Sequence, residues 1–374
     1  MKSLFNIFYI PAISLALLSC SKDDNENAED NGNKTELKVS LGYSHSLVVS
    51  ETQVLWASGL NENGQLGNGS NTNSSVPVKI AEQVIQASGG NSHTLFIKND
   101  NSLWAAGSNA DGQFGNGSNT GSTTPVKIME GVTKAVAAQR FSIILKQDGS
   151  VWTSGDNLGG RLGDGTETDR NTFVKILEGV KDISAKSNYA LFLKTDNTLW
   201  GAGTNGNGQL GDGTITNRPD PVKIADAVKS MNAGIITTMF IKNDNSLWAT
   251  GWSIYGNFGS PDFLNSWSYT VPVKLMDGVD KVAVGSVHTL VHRTDGSLWA
   301  SGRNNQGQLG TGNTTDVATA VKVLDDVKDV VANMNMTIVI KKDKKILVSG
   351  ANQYGSLGNG STTDLSQFTA FALP

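Results

Sequence analysis

A single cysteine, four histidines and eight prolines among 374 residues exclude much of what a chain this long can be. With Cys20 alone, no intrachain disulfide staples the fold. Charged residues make up only 17% and the net charge is -4, which argues against a nucleic-acid binder that works by neutralising phosphates. No long, charge-rich amphipathic helix can be traced. Neither can a nucleophile–base pair, a carboxylate pair of fixed spacing or a metal-ligand cluster. The sequence therefore predicts no enzyme, no catalytic residue, no metal and no cofactor. What is abundant is glycine, 42 residues of it, with many Asn, Ser and Thr. That composition reads as short strands joined by turns.

The cysteine stands at the end of MKSLFNIFYIPAISLALLSC. Lys2 supplies a positive start and residues 4–18 an apolar stretch, too short for a confident membrane span and right for a secretory signal peptide. The ending, Leu17 and Ser19 before Cys20, resembles the lipobox of bacterial lipoproteins, with Cys20 as the lipid-bearing residue. Residues 1–20 are thus expected to be a lipoprotein signal peptide. Residues 21–36, acidic and without an apolar anchor, are expected to be a flexible tether. The first four, SKDD, are similar to the signals that send Bacteroidetes lipoproteins to the cell surface. The expected location is the outer membrane of a bacterial envelope, facing the periplasm or the outside.

Self-similarity organises the rest. W-x-x-G recurs at Trp56, Trp104, Trp152, Trp200, Trp248 and Trp299, and a seventh copy has Leu347 in place of the Trp. Successive copies lie 48 residues apart, apart from one gap of 51. One stretch, GNGQLGDG at 206–213, also spells the G-x-G-x-x-G of a dinucleotide-binding turn. Its siblings keep the equivalents of Gly208 and Gly211 (Gly64 and Gly67, Gly112 and Gly115) but not of Gly206. No helix is expected after it, so the glycines are assigned to positive φ and close backbone approach, not to a nucleotide.

Each copy reads as four strands: QVIQASGG, HTLFIK, SLWAAG and PVKI in the second. An x-D-[GN] hairpin turn, with φ > 0 expected at both central residues, precedes the Trp strand. The first strands are rich in small residues (QASGG, AVAAQ, ISAKS, SMNAG, VAVGS), which suits crowding near an axis. The expected fold is all-β: a seven-bladed propeller of four-stranded antiparallel blades over residues 37–374. The chain enters with three strand types at 36–59 and leaves with QFTAFALP at 367–374. One blade is therefore expected to combine both ends, closing the ring by pairing the N- and C-terminal strands.

G-x-x-H-[ST]-L (Gly42 with His45, Gly90 with His93, Gly285 with His288), then D-[GN]-[ST]-L-W-x-x-G, then G-Q-L-G resemble the repeats of the regulator of chromosome condensation family. The resemblance covers residues 37–374 and implies the same seven-bladed propeller. It also implies two activities. The family's eukaryotic founder exchanges nucleotide on the small GTPase Ran and binds chromatin, and a secreted protein of the same plan blocks β-lactamases.

The repeating Trp residues are expected to pack between blades. His45, His93 and His288 are expected to hydrogen-bond a neighbouring strand or loop. The Lys of each VK strand and the cation before each hairpin turn are read as a solvated, charge-balanced face rather than an anion site. DGT and NGS are read as Asx turns, not calcium loops. The pattern breaks in the fifth glycine loop, GWSIYGNFGSPDFLNSWSYTVPVKL at 251–275. Trp252, Tyr255, Phe263, Trp267 and Tyr269 have no repeat-determined task there, and loop aromatics are typical of contact sites. The expected function is a monomeric, lipid-anchored, non-enzymatic scaffold for a protein or glycan partner. An exchange factor or an inhibitor of a secreted enzyme are the alternatives.

Overall fold

A computed structural model describes residues 35–263, 268–371 and 373. The signal peptide, Cys20, nearly all of the tether and Trp267 lie outside the described residues. The described chain forms 28 strands in seven four-stranded antiparallel sheets, with only two three-residue 3-10 turns, Leu158–Gly160 and Pro261–Phe263. Blade 2 shows the plan: Val84–Gly89, His93–Lys98, Leu103–Gly107 and Ser122–Met129, in that spatial order. The second strand is buried on both faces because a blade lies on either side of it, so its middle, Leu95 to Ile97, is an apolar run rather than an alternation. The fourth strand is the outer edge and is mostly exposed.

The first strands of neighbouring blades touch all the way round, which places them about the axis. Small residues there let seven strands approach, and each gap between blades is filled by one apolar cluster. Leu47, Leu55 and Leu66 of blade 1, for example, pack on Val84, Phe96 and Trp104 of blade 2. Trp152, Trp200, Trp248 and Trp299 pack against corresponding clusters, and Leu347 takes that place in blade 7.

Two motifs acquire a cause. In G-x-x-H the histidine ring lies against the glycine: a Cβ on Gly285 would sit 2.0 Å from the His288 ring, and one on Gly42 2.1 Å from the His45 ring. In x-D-[GN]-[ST]-L-W, Asp148 Oδ1 accepts from the Ser150 N–H and hydroxyl at 2.9 and 2.6 Å. Trp152 Nε1 donates to the Ser150 hydroxyl at 2.9 Å, and the Lys146 ammonium lies 4.5 Å from the Trp ring centroid. The hairpin turn differs from the expected one. Only the residue after the Asp has positive φ (Asn101, Gly149, Asn197, Asn245, Gly296), because the Asp side chain is held back on the backbone two residues ahead.

Closure also differs from expectation. Lys38–Leu41 pairs within blade 1 and Leu365–Phe371 within blade 7, so no blade is shared by the two ends. The short link between fourth and first strands looks in sequence like a hairpin turn, which would place a fourth strand beside the next first strand in one blade. It carries the chain from the rim of one blade to the axis of the next, and the entering strand bonds the previous hairpin turn, as Val84 N–H does to Gln53 O at 2.9 Å. The ring closes by packing. Leu41 and Val48 share a cluster with Met336, Ile338 and Phe371. Glu36 pairs with Lys328 at 3.0 Å, and Glu51 with Lys344 at 2.7 Å.

Candidate functional site

The two faces of the ring are chemically unlike. One carries the hairpin turns and the links between blades. There every VK lysine has an acid three residues on, in pairs such as Lys127–Glu130 at 2.8 Å and Lys274–Asp277 at 2.8 Å. The cations before the turns (Lys98, Lys146, Lys194, Lys242, Arg293) lie over the Trp rings at 4.2 to 5.2 Å. The serine and threonine hydrogen bonds hold the turn aspartates below the usual carboxylate range. This face repeats from blade to blade with its charges largely paired, and blade 7 departs from it with Lys341, Lys342, Lys344 and Lys345 around Asp343.

The opposite face carries the glycine loops. In six of them the first Asn is buried and acts as a clamp. Asn205 Oδ1 accepts from the Leu210 N–H at 2.9 Å, and its amide donates to Asp212 Oδ1 and Thr214 O, both at 3.0 Å. Asn61, Asn109, Asn157, Asn304 and Asn352 repeat the arrangement. Asp164, Asp212 and Asn68 form the expected Asx turns. Gly208, Gly211 and Gly213 have positive φ, whereas a Cβ on Gly206 would meet nothing. A strand, Arg218–Ala225, follows instead of a helix.

Blade 5 lacks the clamp, with Ser253 at the Asn position. Its loop aromatics divide. Phe263 and Tyr269 pack edge-on at 5.5 Å and both contact Phe258, forming a cluster on the core between blades 5 and 6. Tyr255 points outward, 46% exposed and at φ 55°, with the Arg303 guanidinium 5.2 Å from its ring centroid. Trp252, three residues earlier, is half-buried, its carbonyl accepting from Thr237 and Asn257. Trp267 lies outside the described residues.

The histidines are inter-blade ties. His45, His93 and His288 are fully buried, each with Nε2 at 3.0, 3.1 and 3.2 Å from Thr94, Ser142 and Thr337 of the next blade. Burial pushes His45 down to about 4 and His93 and His288 to about 3. Tyr189 plays the same part in blade 4, donating to Thr237 O at 2.7 Å.

Two groups escaped the sequence reading. Arg161 is buried where most siblings have Gln, 3.4 Å from Asp156 and donating to Leu158 O. Lys186, at the axial end of the innermost strand Val180–Lys186, reaches across the axis to the carbonyls of Val284 and Ala332. Its signal was present: the siblings at that repeat position are Gly42, Gly90, Ala138, Gly234, Gly285 and Asn333.

The family model of the RCC1-like domain matches residues 15–324. The chain belongs to the RCC1-like domain family. Human WBSCR16 is similar in structure, with TM-score 0.75, 19% identity, and 86% of this chain and 94% of that one covered. Prp20p from Saccharomyces cerevisiae, a protein with binding properties toward Gsp1p and histones, gives TM-score 0.74 at 21% identity, with 85% of each chain covered. No curated protein matches the sequence. These likenesses establish the seven-bladed RCC1-like fold, which suits a protein-binding scaffold.

Proposed function

We propose that this chain is a non-enzymatic scaffold of a bacterial cell envelope. A lipid on Cys20 anchors it in the outer membrane, and the propeller presents its loop face, as a monomer, to a protein or glycan partner. The lipobox-like ending at Cys20 supports the anchor. The contrast between six clamped loops and the blade 5 loop carries the partner reading. Where Ser253 replaces the clamping Asn, Tyr255 stands exposed under the Arg303 guanidinium, with Trp252 half-buried in the same loop. Aromatics and arginine together make the usual anchors of a contact surface.

Two experiments test it. Globomycin or Cys20→Ser should leave the precursor unprocessed, and an unlipidated, cytosolic mature chain would contradict the anchor. A photo-crosslinker at Tyr255 should trap a saturable partner that the same group at Gln147, on the hairpin face, does not. Equal trapping from both faces would remove the site. Family membership favours one second reading, an exchange factor. Accelerated nucleotide release from a panel of purified GTPases would establish it in place of the scaffold.

A further inference from the structure

Around the axis, the repeat position at the end of each first strand is Gly or Ala in five blades. In blade 7 it is Asn333, whose amide donates to Leu41 O and Gly42 O at 2.8 and 3.0 Å across the closing seam. Only in blade 4 does it carry a charge. Lys186 extends into an axial cavity of about 460 Å³, within the range of small-molecule sites. Its ammonium donates to the carbonyls of Val284 and of Ala332, the latter at 3.0 Å. An ammonium has three donors, so one remains for the cavity.

The cavity supplies no counter-charge. Among the described residues lining it, the charged ones are Lys186 and Lys281, and none is a carboxylate. The Lys281 ammonium is taken by Asp329. A half-buried ammonium without an anion carries a desolvation cost, and pairing relieves it. The walls are mixed, with Val39, Val136, Ala185 and Val331 beside Ser40, Ser88, Asn232 and Asn333. Their polar neighbours are engaged: Ser88 Oγ accepts from Ala137 N–H at 3.0 Å, and Asn232 Oδ1 from Val284 N–H at 3.2 Å. The mouth on the loop face is framed by Tyr43, Asn91, Gln139, Ser187, Ile235 and Met334.

We propose that the axial cavity binds a small organic monocarboxylate, its carboxylate on the Lys186 ammonium and a short aliphatic body against the valine and alanine walls. Burial lowers the Lys186 amine to about 7, so binding above that pH takes up a proton. The other titratable groups nearby are His288, held neutral by burial, Tyr43 at the mouth, and the Lys281–Asp329 pair. This site is independent of the blade 5 reading, and its failure would leave that reading untouched.

The test is calorimetric titration of the full-length chain with butyrate and with its neutral isostere butyramide, at constant ionic strength. Butyrate should bind at one site at least tenfold more tightly than butyramide at pH 6.5. The preference should weaken from pH 7 to pH 9 and vanish in Lys186→Met. If that variant does not fold, the wild-type preference and its pH dependence still decide. Equal affinity for acid and amide, or a preference kept by Lys186→Met, would overturn the proposal and leave Lys186 a strut between blade 4 and blades 6 and 7.

Discussion

The glycine loops of blades 4 and 5 are neighbours at the same repeat position, yet they behave differently. In blade 4 one buried amide, Asn205, collects three backbone and side-chain partners and fixes the whole turn. In blade 5 a serine replaces that amide and three residues are inserted; buried Asn257, four residues on, bonds the Ile254 N–H and the Trp252 carbonyl, and Phe258, Phe263 and Tyr269 pack together after it. Tyr255 lies inside the short turn that Asn257 closes onto Ile254, and its ring is presented to solvent there. A repeat protein can thus specialise one blade without disturbing the ring, because the loop is held separately from the strands beneath it.

The largest expected effect bears on what both blades share, the buried inter-blade ties. Histidine titrates at about 6.5 when unfolded. His45, His93 and His288 are depressed to between about 3 and 4 in the fold. Their depressed values mean that stability is intact above pH 6.5 and is lost as pH falls toward 4. With three protons taken up on unfolding, the loss is about 4 kcal/mol per pH unit near pH 5. Urea unfolding at pH 7, 6 and 5 measures it, and a flat profile would contradict the burial of these rings.

Next in size, Trp248→Ala should cost about 3–5 kcal/mol by removing the ring that packs on the cluster between blades 4 and 5. The two loops then separate. Asn205→Ala should cost about 2–3 kcal/mol, since several buried groups lose their partner, whereas Ser253→Ala should change stability by no more than about 0.5 kcal/mol. Equal costs in the same urea series would erase the distinction. Smallest of all, Tyr255→Ala should leave stability within about 0.5 kcal/mol while reducing partner recovery.

The ring was legible because its signals are periodic. A 48-residue spacing, a Trp at one strand position and a hairpin turn before it fix seven sheets. What was not legible depended on direction in space. A two-residue link reads like a hairpin, yet here it crosses from rim to axis, and the shared terminal blade was wrong for that reason. The asparagine opening six of the glycine loops was visible, but its role depends on carbonyls nine and eleven residues on that only the folded loop brings together. Lys186 sat inside ISAKS, a stretch read for its small residues. Aligning that position across blades would have exposed it. The five loop aromatics could not be sorted from sequence, because inward Phe263 and outward Tyr255 differ only in where the loop turns.

In the proposed function the loop face around blade 5 is the working surface and the hairpin face is structural. Hydrogen–deuterium exchange on the full-length chain, free and bound to a partner trapped at Tyr255, tests it most directly. Protection is predicted at residues 252–263 and in the adjoining loops near the axis, with the turns at 99–101, 147–149 and 195–197 unchanged. Protection centred on those turns, with residues 252–263 unaffected, would contradict it.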